Sequence, residues 1–411
     1  MVLAFVLGSV YYSIRIPWIG VLSLALLSYL NPHRYAWGFM VNFPVYQVVF
    51  LSTVFGLLMN PNARRPFPLT WETIMFILLL TWFTLTTYVA EPDFPIAAQD
   101  QWLKVMKIYI SIFPTFLLIR NRTHFKWLII IITVSFGLIG MKGGLFALSS
   151  GFNYRVWGPA KSFYAGNNEI ALALNMILPL CLLCRKYTEN VYLKWFFLAM
   201  FILSMCSIIS THSRGGLVTL VAVLGAMMAI GNKKWLFISI PIVAAGVLLG
   251  PSFLPDHWTE RMQTIETYEE DASVQGRFEA WNHAIERAQQ DPLTGGGFET
   301  FRSLAHDAHS AYFELLGEHG YIALALWFCL TVGTIISLQM KKYHARRAQS
   351  TMWIKDYASG IQLSIFAYFV GSAFLGTAYW DILYQLVGLS VVLKYILFRE
   401  LSQASTNPEA Y

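Results

Sequence analysis

Charge is scarce in this chain. Of its 411 residues only 13% are Asp, Glu, Lys or Arg, while 56% are hydrophobic and the mean hydropathy is +0.52. A soluble domain carries about 25% charged residues. The shortage excludes an ordinary soluble globule and points to a polytopic membrane protein, for which water is the wrong reference solvent. Cysteine is also sparse. All four (Cys181, Cys184, Cys206, Cys329) lie in apolar runs, and the single Cys181-x-x-Cys184 has no second pair to complete a zinc site, so they read as small apolar helix residues. No Walker lysine loop, HExxH or GxSxG occurs, which removes ATP and two hydrolase classes from consideration. No Asp-x-Asp or acidic loop stands out as a metal cage, so chemistry without metal or other cofactor is expected, with the energy supplied by the substrate.

What is present first is a set of apolar runs. A span needs about 20 mainly apolar residues, and the pattern predicts about twelve, give or take one. Met1–Leu30 is broken at Arg15-Ile16-Pro17 and reads as one broken span or a tight pair. No charged leader precedes it, so it is expected to stay in the membrane. The net charge of +6 is spread over short loops, which makes it a topology signal and leaves no nucleic-acid patch. Lys and Arg fill one alternate set of loops, from Arg64-Arg65 to Lys341-Lys342. The positive-inside rule makes that set cytoplasmic. The Glu91–Asp100 turn, the Ser149–Asn167 loop, the long Pro251–Ser310 segment and the Gly376–Tyr379 turn are then outside. The expected organisation is an N-terminal transmembrane bundle (1–250), an outer segment (251–310), C-terminal transmembrane helices (311–400) and a cytoplasmic tail (401–411).

The outer segment is the polar exception. Phe278–Gln290 has an amphipathic period and stops at Asp291-Pro292, predicting a helix. Gly295–Gly297 permits a tight turn and is expected to fold the segment back onto the helix mouth at Ser213-Arg214-Gly215-Gly216. Arg214 is an expensive charge at membrane depth; the bland alternative is an interfacial arginine that snorkels. Arg277 offers a planar fork that matches phosphate oxygens, or forms an ordinary ion pair with Glu269, Glu270 or Asp271. Together the two arginines are a candidate diphosphate clamp. His309 can take a proton near neutral pH, or serve as a helix-start hydrogen bonder. Beyond it lie Tyr312 and the same-face pair Glu314 and Glu318, carboxylates that need partners, an arginine or the histidine. His306 and His319 are weaker choices. In the preceding outer loop, Arg155 is placed to hold an anionic headgroup, and Asn168 suits a helix N-cap.

Arg155…Asn168, Ser213-Arg214-Gly215-Gly216 and Gly276-Arg277…Trp281…Pro292…Gly295-x-Gly297…His309-Ser310…Glu314…Glu318-x-Gly320 together resemble the O-antigen ligase/polymerase family of membrane glycosyltransferases. Asn31-Pro32-His33-Arg34…Trp37-Gly38-Phe39 resembles its exosortase-associated O-glycosylation ligase branch. The resemblance implies an all-α, GT-C-like fold in the bacterial inner membrane with its site facing the periplasm. It implies an undecaprenyl- or other polyprenyl-diphosphate-linked glycan as donor, and a glycan, lipid A-core or glycoprotein as acceptor. Metal-independent, inverting transfer is implied, with Arg214, Arg277 and His309 as catalytic residues and Arg155, Asn168, Tyr312, Glu314 and Glu318 binding substrate. A polymerase that joins lipid-linked repeats fits the same motifs. A transporter or flippase fits less well, because no internal repeat is visible and the polar residues gather at the outer boundary.

Overall fold

A computed structural model describes residues 1–36, 38–90, 92–230, 272–304 and 307–406. The expected span Trp235–Gly250, the acids Glu269, Glu270 and Asp271, His306, Trp37 and the end of the tail lie outside these residues. The described backbone is helical, without a strand. Its helices are α1 (Val2–Arg15), α2 (Pro17–Tyr29), α3 (Val45–Met59), α4 (Trp71–Val89), α5 (Pro95–Leu118), α6 (Arg122–Ser149) and α7 (Asn167–Tyr187), followed by α8 (Val191–Ser210), α9 (Arg214–Ile230), α10 (Ala272–Gln290), α11 (Ala311–His344), α12 (Met352–Gly371) and α13 (Asp381–Thr406).

By length and composition, six of the described helices can cross a membrane: α4, α6, α7, α8, α11 and α13. Four more, α1, α2, α3 and α9, are apolar but shorter. The protein is therefore a polytopic helical membrane protein, and about twelve spans exceeds the six long apolar helices found among the described residues. Met1–Leu30 forms two short helices. Pro17 opens α2, where its missing N–H leaves nothing unsatisfied.

In lipid, helices gain little from hiding apolar surface and associate through close packing of small residues. Helix α6 shows this against α8. A Cβ added at Gly137 would lie 2.0 Å from Met200 Sδ, one at Gly140 2.3 Å from Ser204 Oγ, and one at Gly144 2.1 Å from the Leu203 carbonyl oxygen. The interior belongs to α7 and α13, whose apolar stretches are each 78% buried, against 33% in α8 and α11. The outer faces of α8 and α11 expose Tyr192, Trp195, Ile336 and Met340, as a lipid-facing surface does.

One break positions the site. Gly320 interrupts α11 with φ 70° and ψ −171°, and the glycine turn before α11 clasps this break. Gly296 N–H donates to the Gly317 carbonyl, Gly297 N–H to the Glu318 carbonyl, both at 2.8 Å, and Tyr321 N–H to the Pro292 carbonyl at 2.9 Å. Backbone freed at membrane depth must be satisfied by protein, and the turn does so. Gly295–Gly297 thus folds onto α11, not onto the mouth of α9 as the sequence suggested.

Two further expectations change. Lys341 and Lys342 belong to α11 and are buried, at 3% and 6% exposure, instead of lying in a loop. The amphipathic helix starts at Ala272, so Arg277 sits in its second turn and not at its beginning.

Candidate functional site

Arg214 is the first residue of α9. Ser213 caps this helix, its Oγ accepting from Gly216 N–H at 3.0 Å. The approach is tight, with His212 in the left-handed region at φ 53°. The Arg155 loop is stitched to the same turn: Val156 N–H donates to the Ser210 carbonyl at 2.9 Å, Ser210 Oγ donates to the Tyr154 carbonyl at 2.7 Å, and His212 Nε2 bonds to the Phe152 carbonyl at 3.1 Å. Asn167 Nδ2 adds a bond to the Thr211 carbonyl at 2.9 Å. Asn175, fully buried in α7, donates to the Gly216 carbonyl at 3.0 Å. The glycines after Arg214 allow close packing: a Cβ at Gly216 would lie 2.7 Å from Ala171 Cβ and one at Gly215 3.0 Å from Phe374 Cβ.

Arg277 joins Arg214 in one narrow cleft of about 90 Å³, between the start of α9, the start of α7 at Asn168 and Leu172, and the end of α12 at Gly371–Leu375. No acid lines it among the described residues. Two guanidinium groups and the positive end of α9 make this a place for an anion of small cross-section.

His309 reaches this region through α10. Trp281, one turn beyond Arg277 and on the same face, donates from Nε1 to the Ala308 carbonyl at 2.8 Å and stacks on Phe313 with ring centroids 4.7 Å apart. That bond holds the turn in which His309 takes φ 43°. Ser310 then caps α11 through its carbonyl, which accepts from Glu314 N–H at 2.8 Å. His309 is not one of the cleft-lining residues; it stands on the adjoining turn.

The remaining polar residues hold backbone. Tyr312 donates its hydroxyl to the Phe369 carbonyl. Glu314 accepts from Ala378 N–H at 3.0 Å, and Glu318 accepts from Glu299 N–H at 2.8 Å and from the Tyr379 hydroxyl. The carboxylates are therefore met by amides and a phenol, not by an arginine or His309. Burial first, then the carboxylates of Glu318 and Glu314, push the Tyr379 phenol well above its ordinary pKa, so it stays protonated and donates. His319, ranked low from sequence, is fully buried. Its Nδ1 shares a 2.7 Å hydrogen bond with Thr86 Oγ1, and its Nε2 lies 3.9 Å from Glu318 Oε2. Asn168 is not the N-cap of α7; Gly166 takes that position, because Asn167 already begins the helix and points its amide to Thr211. Arg155 is half-buried beside the pinned loop and does not line the cleft.

Residues 199–328 match the family described as O-antigen ligase, and residues 1–170 match a family of unknown function, DUF5935. An O-antigen ligase of Pseudomonas aeruginosa is 27% identical over 164 residues, a match covering 38% of each protein. A solved structure titled "Structural coordination of polymerization and crosslinking by a peptidoglycan synthase complex" is 14% identical with a TM-score of 0.42, covering 81% of this chain and 98% of that one; at that score it carries no argument. The O-antigen ligase match begins within α8 and runs past the break in α11, so it takes in Arg214, Arg277 and His309; over that segment the chain is similar to O-antigen ligases.

Proposed function

We propose that the protein is a metal-independent, inverting glycosyltransferase of GT-C-like arrangement. It moves a glycan from a polyprenyl diphosphate to an acceptor hydroxyl at the periplasmic face of the bacterial inner membrane. The observation that supports this reading most is the convergence of Arg214 and Arg277, from separate helices, on one cleft at a helix N-terminus that no acid lines among the described residues. The acceptor oxygen attacks the anomeric carbon, forming the new C–O bond as the bond to the diphosphate breaks. The electron pair leaves with the diphosphate oxygen, where charge grows, and cations fixed there stabilise the transition state more than the ground state. His309 takes the acceptor proton and returns it to solvent. Asn168 contacts the donor headgroup at the cleft, and Arg155 steers it from the neighbouring loop. Tyr312 and Glu314 act on substrate indirectly, by fixing the 369–378 backbone of which Gly371, Phe374 and Leu375 line the cleft, and Glu318 by fixing the backbone at Glu299 before the turn of His309.

Reconstitution with an undecaprenyl-diphosphate glycan and candidate acceptors tests this. Arg214→Ala, Arg277→Ala and His309→Ala are each expected to slow transfer by about 100-fold or more with the protein still folded. Near-normal transfer by Arg277→Ala would sink the clamp. The mass of the product identifies the acceptor, and so separates ligation onto lipid A-core or protein from polymerisation.

A further inference from the structure

A second cavity lies between the end of α2, the start of α3 and the middle of α5. It encloses about 480 Å³, within the roughly 300–1,000 Å³ of ligand pockets. Its charge is one-sided: Arg34, Lys104 and Lys107 line it, with Asp381 the one acid among the lining residues. Asp381 is already engaged. Its Oδ1 accepts from the Tyr164 hydroxyl at 2.5 Å, and its Oδ2 accepts from the Ser28 hydroxyl. Burial first, then Asp381, raises the Tyr164 phenol well above its ordinary pKa, so it remains a donor to that carboxylate.

Two features mark the cavity as made for a ligand. His33 lines it, is only 9% exposed, and its buried Nδ1 has no hydrogen-bond partner. A buried imidazole nitrogen left unpaired costs about 1–3 kcal/mol unless something meets it. Independently, α3 starts at the cavity wall behind Pro44 with no side-chain cap, and Val45, Tyr46 and Gln47 of its first turn line the space. A helix start with open amides favours an anion. Leu27, Val41, Phe43 and Ile108 add an apolar side to the lining.

We propose that this cavity is a second anion site, which binds the phosphate headgroup of an isoprenoid-type amphiphile with the start of its chain against Phe43 and Ile108. It is separate from the Arg214–Arg277 cleft. Phe163 lines the cavity and Asn168 the cleft, while Asp381 and Leu375 flank the 376–380 turn on the two sides. Both openings are therefore at the same end of the helices. Every lining residue except Asp381 falls within residues 1–170, the stretch that matches a family of unknown function. In a clause that rests on the proposed function, the site holds the second, lipid-linked substrate while the arginine cleft holds the donor diphosphate.

Native mass spectrometry of the detergent-solubilised full chain, titrated with farnesyl phosphate, tests the binding without any transfer assay. The unaltered protein is expected to take two equivalents. Arg34→Gln/Lys104→Gln/Lys107→Gln is expected to lose one of them, with affinity down on the order of 10-fold or more, and Arg214→Gln/Arg277→Gln the other. Lys104 and Lys107 are exposed, so their replacement leaves the fold intact. An unchanged second equivalent in the triple variant overturns the cavity proposal and leaves the proposed function standing. An unchanged first equivalent in the double arginine variant counts against the proposed function alone. Equal displacement of the second equivalent by inorganic phosphate, or by phosphatidylglycerol, also overturns it, because the site would then read the free anion or any headgroup. A second equivalent that forms with farnesyl phosphate and not with farnesol upholds it.

Discussion

Trp281 shows how much a single indole can set in a membrane site. Its Nε1 bond to the Ala308 carbonyl and its stack on Phe313 connect the helix of Arg277 to the turn of His309. Trp281→Phe keeps the ring packing and removes only the donor. The expected result is a drop in kcat of about 10-fold with little change in donor KM, and a stability loss of about 1 kcal/mol, measured by transfer kinetics and by thermal unfolding in detergent. A purely structural tryptophan would lower stability without that split. Arg214 and Arg277 were legible in the sequence as cations on the wrong side of a topology. The partners of Glu314 and Glu318 were not. They are main-chain amides at Ala378 and Glu299 and a phenol at Tyr379, and a main-chain amide has no residue-type signature to read.

At the scale of elements, the break in α11 is the organising device. The spacing of apolar residues runs through Gly320 without a mark, so the pattern predicts one continuous helix. The break becomes visible only when Gly296, Gly297 and Pro292 are seen satisfying the backbone groups around it. Gly320→Ala is expected to be severely destabilising: its φ of 70° with ψ near 180° is reserved for glycine, and a Cβ would lie 2.5 Å from the Leu293 carbonyl oxygen. A loss of roughly 1–3 kcal/mol for the backbone alone, with the clash added, predicts a lowered unfolding temperature and a polydisperse elution profile. A stable, monodisperse Gly320→Ala protein would show that the clasp does not fix the break.

Over the whole molecule, a buried ion pair joins three helices at the end away from the cleft. Glu72 Oε1 accepts from Lys341 Nζ at 2.9 Å and from Ser337 Oγ at 2.6 Å, and Lys341 also donates to Ser390 Oγ at 2.8 Å. Both side chains are almost fully enclosed, at 0% and 4% exposure. Removing one partner strands the other charge, so Lys341→Met is expected to cost about 3–5 kcal/mol. Glu72→Gln/Lys341→Met is expected to recover much of that loss, a non-additivity that a double-mutant cycle of unfolding temperatures in one detergent would measure. Additive losses would mean that the two charges are not coupled.

The amino-acid sequence alone determined that this is a helical membrane protein, which end of its helices gathers polar chemistry, and which cations stand out there. Those properties follow from hydropathy and charge, both local in the chain. Only the tertiary structure decided what each polar group faces. It brought Arg214 and Arg277 into one cleft, gave the glycine turn to α11 instead of α9, and turned Lys341 from a loop cation into half of a buried pair. It also brought Asn31–Arg34, a motif in the sequence, beside Lys104 and Lys107 at one cavity. The reason is physical: in a medium without water, a polar group must find its partner inside the protein, and that partner comes from whichever helix packs beside it, at any distance along the chain.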